Sequence, residues 1–451
     1  MANIDWPWAI VLCKWSDKPV EIRPAQYYVD FYTENGVGGV CDYWRTVSCN
    51  ALDLTNSEVF GWFTMSHASA ELTPLHFPND RYIPAQWGID TAQANGVDLS
   101  RFRGILIVQN YGVDHGAAGN AVLIVDQHPA LCEFGFICHE MGHGFGLPHS
   151  WAGGPDVEYG DGWDVMSFAT TTAQFPITFQ GRTGDATVGL NARNIEALGA
   201  MPPARIWKPP GNDFSEWVTL DPLSQPPFGN HGFLVVKITP GSTVPPRPSG
   251  STYQVEFHRR VGWDQATSQD VVRVHEIRTN GLSYAQYVQL TEGMQYVTPD
   301  PYVYLRVVDI DPVASTATVR LWNLPEHSVR KEDSHPAVYQ ITGGHKRHIT
   351  SPAELFALGY TWADVKSVPD GALNVLPTGA PLPVPSEVTV PDVVEWPRAA
   401  AVQEITTAGL VAHLSGPTSA NAWVHDQSPA SGTLVNYGSV VTLHMRTGRI
   451  P

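Results

Sequence analysis

The first two hundred residues alternate two hydrophobic periods. Residues 7–14 (PWAIVLCK), 59–65, 103–110 (RGILIVQN) and 120–125 (NAVLIV) are short apolar runs bounded by turn residues, as buried strands are. Residues 24–34 and 80–95 carry apolar positions at helical spacing, each with a proline near its first turn. Residues 131–144 read as a further helix. This alternation predicts an α/β (α+β) domain over residues 1–205. A Pro-rich junction, PPARIWKPPGND, closes it. From 206 to 328 the period becomes two. Runs such as GFLVVKI, YQVEFHRR, VVRVHEIR and ATVRLW alternate between turn residues, which predicts an all-β sandwich. Residues 329–380 form a small α+β unit, with a hairpin in VYQITGGHKRHI and a short capped helix in SPAELFALGY. LPTGAPLPVP (376–385) reads as a linker. A last small domain occupies 388–447.

Composition sharpens this outline. A chain of 451 residues is too long for one ordinary domain. Its 40 Gly and 37 Pro favour strands and turns over long helices. The net charge of −17 disfavours nucleic acid and anionic membranes as partners. No stretch approaches the roughly 20 apolar residues that span a bilayer. The N-terminal residues show no secretion-signal pattern. Cys41 and Cys49, and Cys132 and Cys138, are each close enough in sequence to pair. Buried, reduced thiols are the equal alternative. The chain opens on a strand, with no pro-segment evident and with Cys13 in that strand's core. The tryptophans Trp6, Trp8, Trp62, Trp163 and Trp263 are expected in core and cleft rather than on carbohydrate-binding faces.

The chemistry concentrates in 139–150, HEMGHGFGLPHS. His139 and His143 lie four apart, so one helical face presents both imidazoles. Two imidazoles so placed can hold one Zn²⁺, and Glu140 between them can reach a metal-activated water without being a ligand. Gly146 permits a positive φ that turns the chain out of the helix and brings His149 round as a third ligand. Three neutral imidazoles and a water make an open tetrahedral catalytic site. No second metal motif stands out, and structural calcium is not indicated.

These residues reproduce HExxHxxGxxH, and the segment resembles the metzincin zinc metalloproteases. The resemblance implies a methionine turn under the metal. YGDGWDVMS supplies it with Met166, and this string is most similar to the gametolysin and immune-inhibitor-A-like branches. Phe168 stands where some relatives carry a tyrosine, so either another group polarises the substrate carbonyl or zinc does so alone. The resemblance also implies an edge strand that pairs with extended substrate. Residues 119–125 are the candidate, with Gly119, Asn120, Ala121 and Val122 as contacts, against the alternative of a plain interior strand. It makes residues 167–175, beginning with Ser167 and Phe168, the outer wall of the S1′ pocket, and it implies a closing helix from Asn191. His115 lies near the proposed edge strand, where a histidine can bind substrate, but an exposed loop residue is the expectation.

The C-terminal residues Val390-Pro391-Asp392-Val393, the run AAAVQEITTAGL and the turn QSPASG resemble a PASTA domain. That resemblance implies peptidoglycan or muropeptide binding, or a spacer. The expected protein is therefore a secreted or cell-wall-associated zinc endopeptidase with Glu140 as general base, acting on protein or peptide. The competing expectations are a hydrolase of peptidoglycan peptides anchored by the PASTA unit, and a non-catalytic adhesin or effector that uses the fold as scaffold.

Overall fold

The computed structural model describes residues 4–448 except 113, 120–121, 127–133, 168–175, 180–181, 186, 224–231, 240–249, 287–288, 300–301 and 383–386. The chain forms two compact units. One comprises Met1–Pro210 with Glu216–Leu321, the other Gly211–Ser215 with Trp322–Pro451. The protein is thus multidomain and mixed α/β, with several separate sheets.

In the first unit a five-stranded sheet runs in the order Glu58–Thr64, Trp8–Lys14, Gly104–Gln109, Val122–Asp126, Gly116–Gly119. The first four strands are parallel and the last is an antiparallel edge. Trp8–Lys14 is buried almost throughout, as expected of a strand with neighbours on both sides and helices on its faces. Among the described residues of this unit the α-helices are Ala25–Tyr32, Val40–Val47, Tyr82–Ala94, Phe134–Gly144 and Ala192–Ala197, the last capped by Asn191 where the closing helix is expected. The second of these escapes the sequence pattern. Gly36, Gly38 and Gly39 precede it, and a run so rich in glycine reads as a loop. The Asp42 carboxylate holds the segment before it, accepting from the N–H groups of Gly36 and Gly38 at 2.9 and 2.8 Å.

The expected edge strand at 119–125 needs correction. Val122–Asp126 is flanked on both sides, and the edge is Gly116–Gly119. Residues 122–125 of NAVLIV thus belong to an interior strand, as the alternative reading held. Asn120 and Ala121 lie outside the described residues. The proposed Cys41–Cys49 disulfide is also absent. Both are buried thiols, as is Cys13. Burial pushes Cys13 and Cys49 up to about 12 and Cys41 to about 11, so all three stay protonated and unreactive. Cys132 lies outside the described residues.

A seven-stranded sheet follows the order Ile206–Trp207, Val235–Ile238, Thr252–His258, Val271–Ile277, Ser283–Ala285, Trp151–Ala152, Val157–Glu158. Its last two strands come from the segment just after His149. They join through a parallel pairing of Trp151 and Ala152 with Tyr284 and Ala285. Residues 1–210 and 216–321 therefore share a sheet. A four-stranded sheet, Ser215–Leu220, Thr316–Trp322, Tyr304–Asp311, Gln295–Val297, accounts for the remaining described strands of 206–322.

The second unit holds two small cores. Strands His345–Ile349, Val338–Thr342, Val329–Glu332 and Val365–Val368 form one sheet, with the helix Pro352–Ala357 capped by Ser351. Val329, Val338, Ile349 and Leu355 fill its core. The C-terminal core packs the helix Arg398–Thr407 on the sheet Val411–Ser415, Val440–Arg446, Trp423–Ser428. Among the described residues no helix is long and apolar enough to cross a membrane.

Candidate metal centre

The helix Phe134–Gly144 buries Phe134, Ile137, Cys138 and Met141 and presents His139 and His143 from its other side. Two of its glycines are required by packing. A Cβ at Gly142 would collide with the Met166 sulfur, and one at Gly144 with the Trp8 indole. The methionine turn thus lies directly beneath the helix, with Met166 fully buried. The helix ends in a Schellman-like turn. Leu147 N–H donates to the Gly142 carbonyl at 3.0 Å, and Gly146 takes a φ of 85°. That turn carries the chain back to His149.

The three imidazoles converge, with one ring nitrogen of each within 4.8 Å of the others. Their second nitrogens are all tied to oxygen. His139 Nδ1 faces the Val165 and Ser167 carbonyls at 2.7 and 3.0 Å. His143 Nδ1 faces the Leu147 carbonyl at 2.9 Å. His149 Nδ1 faces the Glu158 carboxylate at 2.7 Å. Carbonyls and carboxylates only accept, so each Nδ1 carries the hydrogen and each Nε2 keeps its lone pair. The His139 and His143 Nε2 atoms then stand 3.1 Å apart, two acceptors facing each other.

A proton does not relieve that contact at neutral pH. Burial, followed by the neighbouring imidazoles, lowers His139 to about 4, and burial likewise lowers His143. A shared cation does relieve it. Three neutral imidazoles suit a first-row transition metal. A tetrahedral zinc with Zn–N near 2.0–2.1 Å spaces its ligand nitrogens by about 3.3 Å. The donor set fits zinc, with outer oxygens fixing each tautomer as metal-bound histidines require.

Glu140 is buried beside the triad. Burial raises its carboxyl to about 7, while the Arg81 charge and a hydrogen bond from the Ala117 N–H oppose that rise. Ala117 belongs to the edge strand, which packs on this helix. His115, just before that strand, is half-buried with its ring edge-on to Phe136 at 5.5 Å, not exposed as expected. Ser167 is buried too. Its hydroxyl accepts from the Asp161 N–H at 2.9 Å, and its carbonyl serves His139, so it supports a ligand rather than lining a substrate wall. Phe168 lies outside the described residues. Gly119 ends the edge strand and Val122 begins the interior one.

Sequence reasoning missed Glu158 and Tyr159. They end a hairpin in which Trp151 pairs Glu158 and Ala152 pairs Val157. Glu158 holds one nitrogen of His149, and the Tyr159 hydroxyl lies 3.2 Å from the other.

A buried ionic cluster ties the methionine turn to the seven-stranded sheet. His275 pairs with Asp161 at 2.8 Å and with Glu256 at 3.3 Å. His258 pairs with Glu256 at 2.8 Å and Asp264 at 3.2 Å, and Arg273 approaches Asp161 at 3.6 Å. Asp161, Glu256 and Asp264 thus meet two histidines and an arginine. Burial alone depresses both imidazoles. For His258, the Asp264 and Glu256 hydrogen bonds and charges outweigh it and raise the group to about 10. For His275, the charges of Glu256 and Asp161 raise it as well. Both folded values exceed the ordinary histidine value, so the stabilisation is complete below about pH 6.5. It is lost as pH rises through the folded values, to about 10 for His258. The thermal midpoint of the protein should fall steadily over that window. A midpoint flat from pH 6.5 to 10 would show that these histidines are not charged in the fold.

Residues 388–447 match the PASTA domain family. No curated protein matches the chain. Among solved structures, wild-type OgpA from Akkermansia muciniphila aligns over 64% of this chain and 95% of its own, at 12% identity and a TM-score of 0.29. A likeness that slight carries no argument about this protein.

Proposed function

We propose that this chain is an exported zinc endopeptidase of the metzincin kind. The observation that carries the reading is the tautomer-locked convergence of three imidazole Nε2 atoms on one point beside a buried glutamate. A zinc ion bound there supplies a Lewis acid and lowers the pKa of water towards about 7. His139, His143 and His149 hold it, and their outer hydrogen bonds keep the rings aimed. Glu140 takes the proton of the attacking water and returns it to the leaving amine. Burial favours the protonated acid and the Arg81 charge opposes this; a dication held by the three histidines would oppose it further, so that the carboxylate would serve as base at neutral pH. The edge strand Gly116–Gly119 has no described strand on its outer side and offers that side to an extended substrate by β-augmentation.

The PASTA match supports a second reading, in which the bonds cut are peptides of peptidoglycan and the C-terminal domain holds the enzyme on the wall. Dye release from purified sacculi, run beside casein hydrolysis with and without a chelator, separates the two. The principal reading predicts casein cleavage that the chelator stops. Release from sacculi with casein untouched selects the wall enzyme.

A further inference from the structure

We propose that the Tyr159 hydroxyl is the hydrogen-bond donor to the substrate carbonyl oxygen as that oxygen becomes negative. This rests on the peptidase reading above, and it fills the role that Phe168 cannot.

The phenol oxygen lies 3.2 Å from His149 Nε2, the lone pair that faces the metal position. The ring packs against His149 with centroids 4.3 Å apart and planes tilted by 49°, and it lies 6.1 Å from the His139 ring. Three features hold it there. Its N–H donates to the Ser150 carbonyl at 3.0 Å. The hairpin before it is part of the seven-stranded sheet. Gly160 after it has no room for a Cβ against Ala152 and the Val157 carbonyl. The backbone of Tyr159 is left-handed, with φ of 61°. A bulky residue rarely adopts that region, and such strain persists where the surroundings impose it, often at functional sites. Glu158 and Tyr159 therefore bracket one imidazole. The first fixes the His149 tautomer and the second sets a hydroxyl beside its metal-facing nitrogen.

In the step, the water oxygen bonds to the carbonyl carbon and the carbonyl π pair moves to its oxygen. The water proton goes to Glu140. Tyr159 keeps its own proton and donates a hydrogen bond to the new oxyanion. A donor so placed is worth about 10²-fold in turnover.

The test is Tyr159→Phe, which keeps the ring against His149 and deletes the hydroxyl. Zinc content, zinc affinity and thermal midpoint are measured beside the affinity for N-protected Phe-Ala-Phe with a phosphinic group in place of the first peptide bond. That group mimics the tetrahedral oxygen. Acetohydroxamate, a planar metal-binding probe, is the control. The proposal predicts unchanged zinc and stability, acetohydroxamate within about twofold, and phosphinic binding weaker by about 10-fold or more. On any cleaved peptide, kcat falls about 100-fold with little change in KM. Equal phosphinic affinity in both proteins overturns the role of Tyr159 and leaves the peptidase reading standing. A wild-type protein that takes up no zinc and binds neither probe overturns both.

Discussion

Replacing Glu140 by glutamine leaves zinc bound and lowers peptide hydrolysis by about 10³–10⁴-fold. The two effects separate because Glu140 is not among the three converging donors. Glutamine has nearly the same volume in a buried site, so the helix and the imidazoles stay in place. What it lacks is basicity. It neither takes the proton of the attacking water nor returns one to the leaving amine. Metal analysis and a fluorogenic peptide assay on the same preparation read both halves. Full activity in the variant would sink the assigned mechanism. Loss of zinc together with activity would make Glu140 a structural member of the site instead.

His149→Ala has the second large effect. His149 lies outside the helix, and it is partly exposed, so its removal spares the core. It does break the donor set. Losing an outer-shell partner of a metal ligand costs about 10–100-fold in affinity, and losing the ligand itself should exceed that. Competition against a chromophoric chelator should therefore show zinc binding weakened by more than about 100-fold, with hydrolysis lost at ordinary zinc levels. Unchanged affinity would mean that the third histidine serves only as a partner of Glu158 and Tyr159.

The centre was legible in the sequence where its geometry is local. Four-residue spacing on a helix and a glycine that allows a left-handed turn place three imidazoles without any knowledge of the rest of the chain. The expectation of Met166 beneath them came from family resemblance, and the Gly142 contact gives its physical counterpart. Less local features were hidden. The strands Trp151–Ala152 and Val157–Glu158 are two residues each and show no period, so the hairpin that carries Glu158 and Tyr159 could not be read. The ionic cluster was hidden for a different reason. In VVRVHEI, Arg273 and His275 occupy the polar positions of an alternating strand, which ordinarily face water. Here both are buried, because Asp161 in the methionine turn supplies the charge they need. The edge strand was misplaced because GAAG offers no hydrophobic signal, whereas the interior strand beside it does.

The most direct measurement is zinc stoichiometry on the purified protein together with cleavage of a broad peptide library before chelation, after it, and after zinc is restored. The account predicts one zinc per chain, and cleavage that chelation abolishes and zinc brings back. A protein that carries one zinc on these histidines and cuts no peptide in the library, or that cuts peptides equally well without metal, would contradict it.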